Sequence, residues 1–586
     1  MSGGMPSFKT YKILDPVIAD ITSDTDYGVI SGCANKTFVA TTANSRGNSS
    51  LSFVCNIPSQ NTLVDRQVLL QVPVQFRVQY KVPTAGQVCE FSYGQNDSFQ
   101  AFPIASIMTS LQATINNTTV SNEINYSLPA LLKVNPLDEV MCYNNMSPCY
   151  PDRHYYKYKD ANQATNNPLA GLKNGGYNTD CGNGRGSFPV SITRVVYNAG
   201  GVAYPVQPVD SVAVADNDLF EFTVSAIVTE PLFCSPFIWS GLHDGQSMAF
   251  LGINTIGLNI NIDTSYRRLW STMSDPYGVG AGQYFGIQPG TRANPEFFAG
   301  TNYGSVTLKA SFPSLLLNYM TSQPSQVLDV RNVIPYMSME SKITISAPAI
   351  ASGSAVTISS NTFTLNQIPD QILIFAQKKW SSKTASDSNS FLAIKSLNAN
   401  FNNQAGLLSS ASPENLWRMS QKNASNQGWL EFVGQAHGVL AGSLGAGGPI
   451  PTTGSMMVVN PALDLSLPDF LSAGSLGQFQ FQVEVGVYNQ GANLVAGDVE
   501  LVCLFVNSGI LQTEMGMSSL YTGLLDKTLV LETKDASEGI KYSNRVIGGG
   551  MDDRMMGSKR RDMMRRMGEK LSGAVKSGRS KLDSLF

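Results

Sequence analysis

The segment Ser110-Leu-Gln-Ala-Thr-Ile-Asn-Asn117 returns 286 residues later as Ser396-Leu-Asn-Ala-Asn-Phe-Asn-Asn403. Five of the eight positions are identical, and Ile115 against Phe401 is an apolar exchange. Each copy follows an apolar strand and precedes a candidate short helix, around Asn125 to Lys133 and from Pro413 to Lys422. The offset is close to half of the 586-residue chain. Solenoid repeats recur every ~20–50 residues, so a single repeat at this distance reads as a tandem duplication of one domain.

The duplicated unit is β-rich. In Val68-Leu-Leu-Gln-Val-Pro-Val-Gln-Phe-Arg-Val-Gln-Tyr80, Val74, Phe76, Val78 and Tyr80 alternate with Gln75, Arg77 and Gln79, the pattern of a half-buried strand. Similar runs span 219–228, 249–262, 305–312, 342–347, 355–358, 478–488 and 499–506, separated by clusters of Gly, Pro, Asn and Ser, the residues that build turns. The clearest helix is Pro413 to Lys422, with Ser412 as N-cap and Pro413 at the first helical position. The expected plan is an N-terminal arm over 1–49 and a first β-domain over 50–312 with a loop-rich insertion at about 135–208. A second β-domain over 313–515, a linker over 516–550 and a tail over 551–586 complete it. The insertion holds Tyr150, Tyr155, Tyr156 and Tyr158 and shows no strand periodicity.

Composition narrows the class. Charged residues are 14% of the chain, where ~25% is usual, yet hydrophobic residues are 42%. Neutral polar residues fill the gap: 43 Asn equal the 43 Asp and Glu together. The apolar content excludes a disordered chain, the missing heptads exclude a coiled coil, and no ~20-residue apolar run marks a membrane span. Low surface charge favours association. No basic segment followed by an apolar stretch opens the chain, so a secretory signal is not expected. Eight cysteines without a C-x-x-C pair read as free thiols in a reducing compartment.

The tail differs in kind. Residues 551–586 carry ten Lys/Arg against five acids and six of the 21 Met. Met556, Met563, Met567, Leu571 and Ala574 recur at helical spacing around Arg560, Arg561 and Arg565, a basic amphipathic pattern. Arg554, Lys559, Arg560, Arg561, Arg565, Arg566 and Lys570 are candidates for contact with a membrane surface, nucleic acid or a partner groove. The plainer reading is a solvated basic tail. Just before it, Ile547, Gly549, Gly550 and Met551 lie in a triple-glycine stretch, either a hinge or an open protease site.

No catalytic constellation emerges. His154, His243 and His437 show no metal-ligand spacing, and no G-x-S-x-G elbow is present. Cys181-Gly-Asn-Gly-Arg-Gly186 lacks the strand and Lys-Ser/Thr of a phosphate loop. Asp210, Asp216, Asp218 and Glu221 lack EF-hand order. The chain is expected to be no enzyme and to need no cofactor or metal.

Phe53-Val-Cys-Asn-Ile-Pro-Ser-Gln-Asn-Thr-Leu-Val-Asp-Arg66 and Val68-Leu-Leu-Gln-Val-Pro73 resemble the start of the first jelly roll in major capsid proteins of virophages and Polinton-like DNA viruses. So do Phe99-Gln-Ala-Phe-Pro-Ile-Ala-Ser-Ile107, Pro231-Leu-Phe-Cys-Ser-Pro-Phe-Ile-Trp239 and Arg268-Leu-Trp270. The resemblance implies an all-β double jelly roll, two tandem eight-stranded sandwiches, in a virion shell protein. It also implies homotrimeric, pseudo-hexagonal capsomers that tile an icosahedral capsid with penton and minor capsid proteins. A viral maturation protease that cuts after Gly-Gly would act before Met551, freeing a tail that meets viral DNA or an inner membrane during assembly. The alternatives are a shell jelly roll with a projecting β-domain, and a β-sandwich glycan-binding protein.

Overall fold

A computed structural model describes residues 36–81, 97–134, 190–203, 219–238, 249–263, 313–320, 331–383, 387–439, 447–467 and 473–522, apart from short gaps, with short strands at Val88–Cys89, Leu269–Ser271, Tyr284–Phe285 and Asn294–Phe297. Eight principal strands build the first half: β1 (Lys36–Thr42), β2 (Ser50–Asn56), β3 (Leu69–Lys81), β4 (Met108–Ile115), β5 (Thr118–Asn122), β6 (Leu219–Pro231), β7 (Thr255–Ile262) and β8 (Ser314–Met320). They form two sheets, one with the order β1-β8-β3-β6 and one with the order β2-β7-β4-β5. The second half repeats the plan with β9 (Arg331–Ile345), β10 (Ala355–Ser359), β11 (Gln371–Lys378), β12 (Ala393–Phe401), β13 (Gln404–Leu407), β14 (Met457–Val459), β15 (Leu476–Tyr488) and β16 (Val499–Glu514). Its sheets run β9-β16-β11-β14 and β10-β15-β12-β13, the same orders with every strand advanced by eight. Each half is a two-sheet jelly roll, whose short and covered edges suit a helix-poor, turn-rich sequence. A last strand, β17 (Met517–Thr522), folds back on β16.

The sequence repeat has a structural cause. Leu111, Ala113 and Ile115 of β4 stand opposite Ile260, Leu258 and Ile256 of β7. Leu397, Ala399 and Phe401 of β12 stand opposite Val485, Val483 and Phe481 of β15. All twelve are buried, and the polar residues between them point outward. The shared Asn then makes the same turn twice. Asn116 has φ 52° and Asn402 φ 51°, in the left-handed region where Asn is the best tolerated residue after Gly. Asn116 Oδ1 accepts from the Asn254 N–H at 2.7 Å, and Asn402 Oδ1 accepts from the Gln480 N–H at 2.7 Å. Each side chain thus ties its hairpin to the neighbouring strand.

After each hairpin comes a helix, α1 (Ile124–Val134) and α2 (Pro413–Lys422). Helix α2 starts as its sequence dictates: Ser412 Oγ accepts from the Asn415 N–H at 3.3 Å, Pro413 opens the first turn and Glu414 complements the dipole. Only Leu416 and Ser420 of α2 are buried, whereas Ile124, Ser127, Leu128, Ala130, Leu131, Lys133 and Val134 of α1 are.

Strand pairing shifts some expected limits. β1 lies inside the segment expected as an arm, and β8, beyond position 312, pairs with β1 and β3 of the first half. β17 extends the second half past 515. Within the insertion expected to lack strands, Ser191–Tyr197 pairs with β6 as an edge strand. Ser191, Ile192 and Thr193 are exposed in succession and only Val196 is buried, so no alternation advertised it. The expected run 305–312 lies outside the described residues.

Candidate assembly surfaces

Two surfaces stand out, the seam between the jelly rolls and the faces turned away from it. The seam starts with β11, whose residues 371–377 are all buried. Ile372, Ile374 and Ala376 join the interior of the second jelly roll. Leu373 and Phe375 point the other way, into the cluster formed by the first. β16 splits in the same manner, with Leu501, Cys503 and Phe505 inward and Val502, Leu504 and Val506 toward the first half. A strand buried on both faces reads as a continuous apolar run, as Ile372-Leu-Ile-Phe-Ala376 does.

The first half covers that sheet with α1, which packs against β9 and β16. Its last turn has orphan carbonyls. The Asn426 N–H donates to the Lys133 carbonyl at 2.9 Å, and Asn426 Nδ2 donates to the Val134 carbonyl at 3.2 Å. At the far end the β4–β5 hairpin meets β17. Thr118 Oγ1 donates to the Ser518 carbonyl at 2.8 Å, and the Ser518 N–H donates to Asn117 Oδ1 at 2.7 Å. The Met337 N–H donates to Ser235 Oγ at 2.9 Å, and Trp380 Nε1 donates to Asp263 Oδ2 at 3.0 Å. These bonds pin the edges of an apolar contact, which fixes its register.

One buried acid supports the seam from behind. Glu230 is 1% exposed, and its carboxylate accepts from the Ile104 N–H at 2.9 Å and the Ala105 N–H at 2.7 Å. It ties that turn to the segment carrying Ser235. Burial pushes its carboxyl up to about 8, against the lowering effect of the two hydrogen bonds.

The outward surfaces contrast with the seam. On β2-β7-β4-β5, Ser52, Gln112, Thr114, Thr119, Asn259 and Asn261 face away from the core. Asn261 Nδ2 donates to Ser110 Oγ at 2.9 Å, and the hydroxyls of Thr114 and Thr119 lie 3.3 Å apart.

Among the described residues no group of three metal-ligating side chains occurs, and Cys55, Cys234 and Cys503 are free and buried. Burial pushes the Cys234 and Cys503 thiols up to about 12, which suits packing groups rather than nucleophiles. His437 lies in the hairpin strand Gln435–Val439, and Glu221 in β6 faces Val195. His154, His243, Asp210, Asp216 and Asp218 lie outside the described residues. So do Ile547, Gly549, Gly550 and Met551, and the basic residues Arg554, Lys559, Arg560, Arg561, Arg565, Arg566 and Lys570. The seam residues Asn426, Ser518 and Glu230 had no signal in the sequence. Asn117 did, as the second Asn of the repeat.

Two family models match consecutive parts of the chain. The Sputnik virophage major capsid protein first domain matches residues 6–290, and the major capsid protein V20 C-terminal domain matches residues 339–509. The putative capsid protein V20 of Sputnik virophage is 25% identical over 540 residues, covering 90% of this chain and 82% of that one. The chain in the cryo-EM structure of the Sputnik virophage superposes with a TM-score of 0.68 at 22% identity, covering 92% of this chain and 98% of its own. The mavirus major capsid protein superposes with a TM-score of 0.60 at 14% identity, covering 90% and 98%. The duplicated topology and these superpositions define a double jelly roll. With one family model on each jelly roll, the chain belongs to the major capsid proteins of the virophage group. It is a structural capsid protein, from a family that builds shells rather than catalysing reactions.

Proposed function

We propose that three copies of this chain close into a pseudo-hexagonal capsomer, and that such capsomers tile an icosahedral virion shell. One observation carries the reading: the two equivalent sheets are treated differently within the chain. The outer face of β9-β16-β11-β14 is buried under α1 and its neighbours. The outer face of β1-β8-β3-β6 keeps Leu69, Gln71, Leu316 and Met320 half-buried and Ala40 and Thr42 exposed. Helix α2, the counterpart of α1, likewise leaves Glu414, Asn415, Arg418, Gln421 and Lys422 exposed. One chain therefore offers both halves of a second seam. A head-to-tail contact of that kind generates a ring when its rotation closes, and three two-domain chains give six jelly rolls. The α2 face is more polar than the α1 face, as expected where a contact forms between separately folded chains.

The C-terminal segment serves assembly in this reading. A viral maturation protease cuts between Gly550 and Met551, and the basic residues Arg554 to Lys570 neutralise viral DNA or an anionic inner membrane beforehand. Penton and minor capsid proteins complete the shell. Light scattering on the purified chain tests the capsomer: a mass three times 63.1 kDa is expected, and a monomer at every concentration refutes it.

A further inference from the structure

We propose that the outward faces of β2-β7-β4-β5 and β10-β15-β12-β13 are the surfaces through which capsomers meet sideways, each against another copy of this chain. The proposal rests on the capsomer reading above. In that ring the other sheet of each jelly roll lies in a seam, covered by α1 within the chain or by its counterpart between chains. These two faces are what remains on the periphery.

Their chemistry fits one occupant. No outward residue of β2, β4, β5 or β7 is charged; the face is built of Ser, Thr, Asn and Gln with Val54 and Gly257. The second face carries one acid and one base, Glu484 and Lys395, which cancel. Both are engaged: Glu484 accepts from Asn398 Nδ2 at 3.3 Å, while Lys395 Nζ donates to the Val433 carbonyl at 3.4 Å and lies 5.2 Å from the Tyr488 ring centre. A face that must meet copies of itself cannot carry a surplus of one sign, because every such charge then meets its own image. Amides and hydroxyls both donate and accept, so a face made of them pairs with itself in more than one register. A partner of different composition would favour a charged or strongly apolar patch, and neither is present on the first face. Contacts of this kind also depend little on salt.

The test places two like charges on the first face. Gln112 and Asn259 are direct cross-strand partners, and both are exposed. Full-length chain carrying Gln112→Lys with Asn259→Lys is compared with wild type and with Gln112→Lys/Asn259→Glu. Thr357→Lys, on the exposed face of β10, repeats the test on the second jelly roll. Trimer mass is read by light scattering, and shells or lateral arrays by electron microscopy. The proposal expects unchanged trimers, at least a tenfold loss of shells in the lysine variants, and recovery in the Lys/Glu variant or in high salt. Lysine variants that assemble at wild-type yield in low salt overturn it. So do variants that lose the trimer, which would place the face in a seam, and shells that form but shed a second protein. A wild-type chain that never leaves the monomer refutes the capsomer reading instead, so the two failures are distinguishable.

Discussion

If β11 lies between two cores, truncating its outward face must cost as much as truncating its inward face. Phe375 tests this. It is 0% exposed, belongs to the cluster shared with the first jelly roll, and packs on Phe391 with ring centres 4.8 Å apart. Phe375→Ala removes a buried aromatic side chain, which costs about 3–5 kcal/mol including the cavity left behind. Its neighbour Ile374, 0% exposed in the interior of the second jelly roll, provides the internal standard. Ile374→Ala costs about 2–5 kcal/mol. The double jelly roll spans residues 36–522, and a unit of that length at about 2 cal/mol/K per residue loses about 1 °C of Tm per kcal/mol. Phe375→Ala is therefore expected to melt about 3–5 °C and Ile374→Ala about 2–5 °C below wild type in calorimetry. Phe375→Ala alone should also speed hydrogen exchange in β17 and at Thr118, because those bonds span the seam. A Phe375→Ala protein within about 1 °C of wild type, beside an Ile374→Ala protein several degrees lower, would refute the shared core.

Asn116→Ala and Asn402→Ala should each destabilise by about 1–2 kcal/mol in denaturant unfolding, through strain at positive φ and the lost side-chain acceptor. Asn116→Gly should recover the strain but not the hydrogen bond, and equal losses for Ala and Gly would deny any strain. Glu230 has a folded-state carboxyl raised to about 8 from an ordinary value near 4.5. Its contribution is fully present below about pH 4.5 and is lost as pH rises through about 8, so Glu230→Gln should flatten the decline of Tm over that window; an unchanged slope would assign the decline to other groups. Mass spectrometry of mature particles should find a chain ending at Gly550, and an intact Phe586 would eliminate the cut.

Much of the fold was legible because jelly-roll strands alternate. Leu111, Ala113 and Ile115 carry the pattern that Leu397, Ala399 and Phe401 repeat, and the Asn that closes each hairpin survived in both copies for a backbone reason. Helix α2 was legible from Ser412 and Pro413, since caps are local chemistry. Strand Ser191–Tyr197 was not, because an edge strand with Val196 as its one fully buried residue has no period to show. β1 and β8 carry no local sign of their shared sheet, because pairing between residues 272 to 284 positions apart leaves none. The assembly surfaces were half legible. Neutral composition points to close contact between copies as an expectation, and only the strand register shows which Asn, Gln and Thr residues share one face. Asn426 and Ser518 hold the seam through single polar contacts that resemble any surface residue in a sequence.

The contrast between α1 and α2 divides the chain's contacts by the law that governs them. The seam under α1 closes within one chain, at an effective concentration set by the linker and independent of how much protein the cell makes. Its counterpart under α2 lies between chains in the trimer reading, and obeys mass action. One half of the ring is thus completed by folding alone, while the other waits for a threshold amount of protein. A duplication that fused two jelly rolls would have halved the number of bodies needed per ring, from six to three.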